Sequence, residues 1–282
     1  MQQAGWSALG VDYAWNKDKP IGPAVYLDLT TQAGQDALWQ IIVDRKCVYV
    51  HFAPPCGTAS RAREKRINSG FDPKPLRSDE KPDGLDNLPE KDELRVEQAN
   101  KLYAFTAEVC LKLDELGIAW SIENPKNSLF WLTSWLVKLR ASSDISEVHF
   151  QHCMHGGTRD KRTMLWVSHS FDLSALTAKC DGKHTHSPWG VSAGRGFLTA
   201  QERNYPALLC SRWAKHATSN FEKKFGKMAS AVQEVQVGSS QRAAKISDDK
   251  LQKVFRELQP RRGMQEMIPE YKEVAGNKSP TF

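Results

Sequence analysis

No apolar run in the sequence approaches the ~20 residues that a membrane-spanning helix needs, which excludes a helical span within these residues. The opening stretch, MQQAGWSALGVDYAW, has no basic segment leading into a long apolar one, so no secretory signal is expected. Cysteine is sparse: Cys47, Cys56, Cys110, Cys153, Cys180 and Cys210 are scattered over 282 residues. That density excludes a disulfide-stapled scaffold. It implies a reducing, intracellular setting (nuclear in a eukaryote, cytoplasmic in a bacterium or phage) with thiols that are buried, catalytic or metal-bound. Neither sign of charge dominates. Lys and Arg number 39 against 33 Asp and Glu, a net +6 that a solvated surface explains and that also suits a polyanionic partner.

What is present is ordinary for a globular protein: 40% hydrophobic and 26% charged residues, in a chain long enough for one large domain or a domain with an appendage. Val25 to Leu29 reads as a strand, 33–46 as a helix and Val48 to Phe52 as a second strand. Residues 57–94 are polar, rich in proline and charge, and without a sustained period. They are expected to form a long surface excursion, mobile unless something binds it. Helical spacing resumes over 95–116 and Gly117 stops it. A strand at 118–122 runs into Glu123-Asn124-Pro125, a helix is expected over about 128–140, and strands over 147–151 and 163–168. This alternation predicts an open α/β sheet in mostly parallel order, with ligands beyond the carboxyl ends of the strands. The core is expected over 1–165, a small lobe over 166–200, a segment returning to the core over 201–222 and a loosely attached tail over 223–282, with a helix near 248–258.

Two residues stand just past strand ends on one rim. Cys56 follows Pro54-Pro55, whose fixed φ angles make a stiff corner. Arg61, Arg63, Lys65 and Arg66 come soon after, and positive charge favours a thiolate. Taken alone, Cys56 reads equally as a small buried core residue. Glu123 ends an apolar strand beside Asn124 and Pro125. It reads either as a structural cap or as an acid, since a carboxylate is seldom buried without a partner. A nucleophile and an acid on a shared rim suggest covalent catalysis.

Pro54-Pro55-Cys56, Glu123-Asn124-Pro125 and Thr158-Arg159-Asp160-Lys161-Arg162-Thr163, in that order on an α/β chain, resemble the cytosine-5 DNA methyltransferases, closest to phage- or mobile-element-like members with ENP in place of ENV. The resemblance spans roughly residues 5–216. It implies a Rossmann-like sheet dependent on S-adenosylmethionine, a small target-recognition lobe and DNA as the partner. It further implies that Cys56 attacks C6 of a flipped cytosine, that Glu123 engages N3, and that Arg162 and Arg159 orient the base and the thiol. The family's segment is Gln-x-Arg-x-Arg, so the spacing here departs from it at Arg159. Asp12, after Gly10-Val11, resembles the acid that holds the cofactor ribose, and Asp28 the one that meets the adenine amine. Each also reads as a plain strand-end aspartate. Pro54 and Asn204, the latter in Asn204-Tyr205-Pro206, would line the same pocket. The family's opening Phe-x-Gly-x-Gly-Gly is absent, so an N-terminally truncated version of the sheet is expected. Arg61, Arg63, Arg66 and Arg195 would meet DNA, with His184, His186, Trp189 and the glycine-rich 190–196 in the recognition lobe.

Two alternatives carry other classes of function: a catalytically disabled, nucleic-acid-binding remnant of that fold, and a Cys/His hydrolase built on Cys56, for which no motif ties a histidine to the thiol. Separately, Cys153 and the run Cys180-x3-His184-x-His186 supply enough ligands for a tetrahedral zinc site, although the spacing matches no zinc-finger pattern. Otherwise these are polar loop residues facing DNA or solvent.

Overall fold

The computed structural model describes residues 1, 5–16, 20, 22–65, 73–192, 196–198 and 204–226. The expected DNA contacts Arg66 and Arg195, the helix near 248–258 and the tail beyond 226 lie outside the described residues.

Two short parallel strands come first, β1 (Gly10–Asp12) and β2 (Ala24–Tyr26), with Asp12 opposite Tyr26. Helix α1 (Gln32–Asp44) starts at Thr31, whose side chain accepts from the Gly34 N–H, as an N-cap should. Gly34 is obligatory: a Cβ there would stand 2.1 Å from the Asp28 carbonyl oxygen. Strand β3 (Tyr49–Phe52) follows, and then a 3-10 turn over Arg61–Glu64.

Helix α2 (Glu90–Leu116) begins a turn and more before the expected start. Its first turn carries Glu90, Asp92 and Glu93, which suit the positive end of the helix dipole but show no apolar period. Gly117 closes it in the left-handed region at φ 69°. Strand β4 (Ala119–Pro125) is longer than expected and takes in Glu123 and Asn124. The single helix expected over 128–140 is divided. Ser128 and Thr133 hydrogen-bond the local backbone and draw Leu129–Leu132 into a 3-10 turn before α3 (Ser134–Ser142). Strands β5 (Ile145–Gln151) and β6 (Arg162–Ser168) form an antiparallel pair. A two-stranded antiparallel ribbon, β7 (Val191–Ser192) with β8 (Gly196–Phe197), precedes helix α4 (Ala207–Phe225). The helix therefore runs three residues into the stretch expected to be tail.

The chain is α/β, but its main sheet is mixed rather than mostly parallel in its pairing. The order is β3-β4-β6-β5; β3 and β4 pair in parallel, and β6 runs against both of its neighbours. The cause is the connection over 152–161, too short for the crossover that a parallel pair requires. Strand alternation sorts side chains between the two faces. On one, Ala119, Val148, Phe150, Leu165 and Val167 pack with Leu209, Trp213, Ala217 and Phe221 of α4. On the other, Trp120 donates its indole N–H to Asp114 of α2, and Trp166 lies against Trp131 and under Arg140 of α3.

The described parts of the excursion, 57–65 and 73–94, are anchored to the core. Arg77, only 1% exposed, donates to the Thr58 hydroxyl and to the carbonyls of Pro82 and Val96, and lies over the Tyr103 ring. Asp83 accepts from Ser134 N–H through its side chain and from Asn100 through its carbonyl.

Candidate active site

Strand β3 delivers Cys56 through a corner held at both prolines. The Pro54 carbonyl accepts from Asn124 Nδ2 at 3.0 Å, and the Pro55 carbonyl from the Tyr103 hydroxyl at 2.7 Å. Proline has no N–H to spend in a ladder, so its carbonyl is its only backbone tether. One tether comes from β4 and the other from α2. The Cys56 carbonyl then accepts from Ala59 N–H, closing a turn, and the residue is partly buried. The Asn124 contact joins the two motifs: the residue after Glu123 holds the residue two before Cys56.

Glu123 is 7% exposed and sits opposite Leu165 of β6. Its Oε1 lies 3.5 Å from Lys161 Nζ, beyond close hydrogen-bond contact, and the Tyr205 hydroxyl also bonds the carboxylate. Burial holds this carboxyl above the ordinary range, and the Lys161 ammonium and the Tyr205 hydroxyl offset part of that.

Behind Glu123 runs a chain of hydrogen bonds on the α4 face of β3 and β4. Trp213 Nε1 donates to Tyr49 Oη at 3.1 Å; Tyr49 Oη meets Ser121 Oγ at 2.5 Å; Ser121 Oγ meets His51 Nδ1 at 2.8 Å; His51 Nε2 meets Tyr205 Oη at 3.1 Å. Burial raises Tyr49 and Tyr205 and lowers His51 to about 4, so all three are held neutral. Sequence reasoning missed this network. Its signal was present as alternation: Tyr49 and His51, Ser121 and Glu123 are polar residues two apart in otherwise apolar strands.

The other expected site residues divide. Arg162 is exposed at the first position of β6, and its even register puts it on the face opposite Glu123, so Lys161 rather than Arg162 reaches the carboxylate. Arg159 is buried, donating to the Pro188 carbonyl with its guanidinium over the Trp189 ring. Asn204 is exposed, whereas Tyr205 beside it points into the network. Arg61 is engaged by Asp79 and Glu64 and donates to the Asn127 carbonyl; Arg63 donates to the Lys74 carbonyl. Asp12 and Asp28 stand at and just past the carboxyl ends of β1 and β2. Asp12 accepts from Tyr13 N–H and Asn16, and Asp28 Oδ1 from Thr30 N–H and Oγ1.

No disulfide links any of the six cysteines. Cys153, Cys180, His184 and His186, by contrast, are brought together, with one ligand atom of each within 4.8 Å of the others. This group is able to hold a metal ion.

Compared with family models, with curated proteins and with solved structures, the chain matches none.

Proposed function

We propose that this chain is a cytosine-5 DNA methyltransferase in which Cys56 is the nucleophile and Glu123 the acid. The observation that carries this reading is the hydrogen bond from Asn124 to the Pro54 carbonyl, which ties the cysteine corner to the strand end bearing a buried carboxyl. A carboxyl kept above its usual range by burial suits the task of sharing a proton with a ring nitrogen near neutral pH.

The steps follow from that pairing. The Cys56 thiolate forms a bond to C6 of an extruded cytosine, and the C5–C6 π electrons move into the ring. Glu123 hydrogen-bonds or protonates N3, so that the ring accepts this density. S-adenosylmethionine, when bound, supplies the electrophilic methyl group that C5 takes. Transfer of the C5 proton to solvent water re-forms the C5–C6 double bond as the C6–S bond breaks, so Cys56 leaves as the thiolate and any N3 proton returns to Glu123. Lys161 and Tyr205 hold the Glu123 carboxyl in place throughout.

For the methyl donor the residues fit at one end. Asp12 and Asp28, on the carboxyl rim of parallel β1 and β2, offer acceptors suited to ribose hydroxyls and an exocyclic amine. For its methionine end, the sequence contains no Phe-x-Gly-x-Gly-Gly cradle. Arg162, expected to orient the base, lies on the face away from Glu123, which favours a second reading, a DNA-binding protein that performs no transfer.

The test is covalent trapping on 5-fluorocytosine duplex DNA with S-adenosylmethionine. Wild type is expected to form a denaturation-resistant adduct and Cys56→Ala none. Glu123→Gln should slow adduct formation by roughly 100-fold or more, the scale of a lost acid–base group. Salt-sensitive DNA binding by wild type without any adduct would select the second reading. An equal adduct with Cys56→Ala would remove the thiol from the mechanism.

A further inference from the structure

Outside the rim, four ligand atoms converge for which the proposed transfer chemistry has no use. Cys180 Sγ lies 3.6 Å from His184 Nε2 and 3.5 Å from His186 Nε2, and the two Nε2 atoms are 3.1 Å apart. Zinc bonds of ~2.3 Å to sulfur and ~2.0–2.1 Å to nitrogen give tetrahedral edges of roughly 3.5 Å for S···N and roughly 3.3 Å for N···N. The observed separations match those edges. Cys153 adds the fourth vertex, its ligand atom within 4.8 Å of the other three. A cation between these four atoms would be attracted to each of them.

The backbone builds the site from both sides. Cys153 falls in the 3-10 turn His152–His155 that leaves β5. Gln151 N–H donates to the Ala178 carbonyl and Gln151 Oε1 accepts from Cys180 N–H, which lays the second cysteine beside the first. Gly182, at φ 70°, turns the chain back so that His184 and His186 face Cys180, a conformation that favours glycine. Asp181 Oδ1 lies 3.4 Å from His184 Nδ1, the outer carboxylate that commonly orients a metal-bound imidazole.

We propose that Cys153, Cys180, His184 and His186 bind one zinc ion in a closed, structural site that clamps 180–189 against 158–160. Two thiolates and two neutral imidazoles fill a tetrahedron with no open position, the pattern of a structural rather than a catalytic zinc. The thiols give up two protons to solvent as the metal enters, leaving the site neutral. What the clamp fixes is visible in the next contacts. Ser187 N–H donates to the Thr158 carbonyl, Arg159 Nε to the Pro188 carbonyl, and Trp189 Nε1 to Asp160 Oδ1. Lys161, the cation at Glu123, is the next residue. The zinc thereby holds the border of the rim, whatever chemistry the rim performs.

The test uses untagged full-length protein from zinc-supplemented growth. Metal analysis is expected to find about one zinc per chain, and cobalt exchanged into the site should show the visible bands of a tetrahedral, thiolate-ligated ion. Cys180→Ser and His186→Ala should lower retained metal at least tenfold, while Cys210→Ser, on exposed α4 surface, retains it. Hydrogen exchange after chelation should rise over 153–162 and 180–189 while the slow amides of α2 stay protected, which also shows that the variants are folded. Wild type that neither carries zinc nor takes up cobalt overturns the site, as do ligand variants that retain metal at the wild-type level. Metal loss with unchanged exchange over those two segments overturns the clamp.

Discussion

His51 shows how a single residue can set pH behaviour. It is a neutral imidazole between Ser121 and Tyr205, lowered by burial from 6.5 to about 4. Between those values the unfolded chain binds a proton that the folded chain refuses, so stability is complete above about pH 6.5 and falls as pH drops toward 4. The loss expected across that window is on the order of 2 kcal/mol, since the residue is partly buried and each pH unit of depression is worth about 1.4 kcal/mol at most. Urea unfolding at pH 7.5 and pH 5 should show it in wild type. His51→Gln should be destabilised at pH 7.5 but lose less on acidification, and an unchanged pH slope in that variant would remove His51 from the explanation. Glu123 is the complementary residue: its raised carboxyl is the property the proposed chemistry uses.

At the scale of elements, the junction of β2 with α1 is set by one missing side chain. Gly34 lets the first turn of α1 lie against the Asp28 carbonyl, where a Cβ would meet backbone at 2.1 Å. Backbone cannot swing aside as a side-chain tip can. Gly34→Ala is therefore expected to cost about 2–3 kcal/mol, the scale of overpacking, and to speed hydrogen exchange over 28–35. Chemical denaturation with exchange read-out checks both, and a cost under about 0.5 kcal/mol would mean that the turn and helix can separate freely. The β5–β6 pair makes a similar point about connections. A loop too short for a crossover reverses β6, which brings its first residues beside the end of β4, and the alternation there turns Lys161 rather than Arg162 toward Glu123.

For the molecule as a whole, the described parts of the polar excursion after Cys56, 57–65 and 73–94, are tied to the core. Its anchor is Arg77, a buried guanidinium satisfied by one hydroxyl and two carbonyls. Arg77→Met removes those donors and leaves the Thr58 hydroxyl and the Pro82 carbonyl without them. A loss of about 1–3 kcal/mol is expected, together with proteolytic cutting within 73–89 at denaturant levels where α2 is still folded. Cutting that appears only with global unfolding would show that the excursion is held by other contacts. The proposed metal clamp would be its counterpart next to Lys161, where 187–189 already bond to 158–160.

The order of the elements and the rim itself were legible in the sequence by itself. Short apolar runs mark β3, β4 and β6 and a 3.6-residue period marks most of α2, because both are local properties of sequence. The stop of the apolar run placed Cys56 beyond β3, but Glu123, expected just past a strand's end, lies within β4, which continues to Pro125 in its pairing with β6. What those patterns cannot carry is which strand lies beside which and which face a residue meets. The mixed pairing, the placement of Lys161 in preference to Arg162 and the Tyr49–Ser121–His51–Tyr205 network are decided only in three dimensions, whereas Cys153, Cys180, His184 and His186 were readable as possible metal ligands and the structure brings them together. Each joins groups far apart along the chain, and the alternation that marks Tyr49, His51, Ser121 and Glu123 as polar on one face does not say which of them meet.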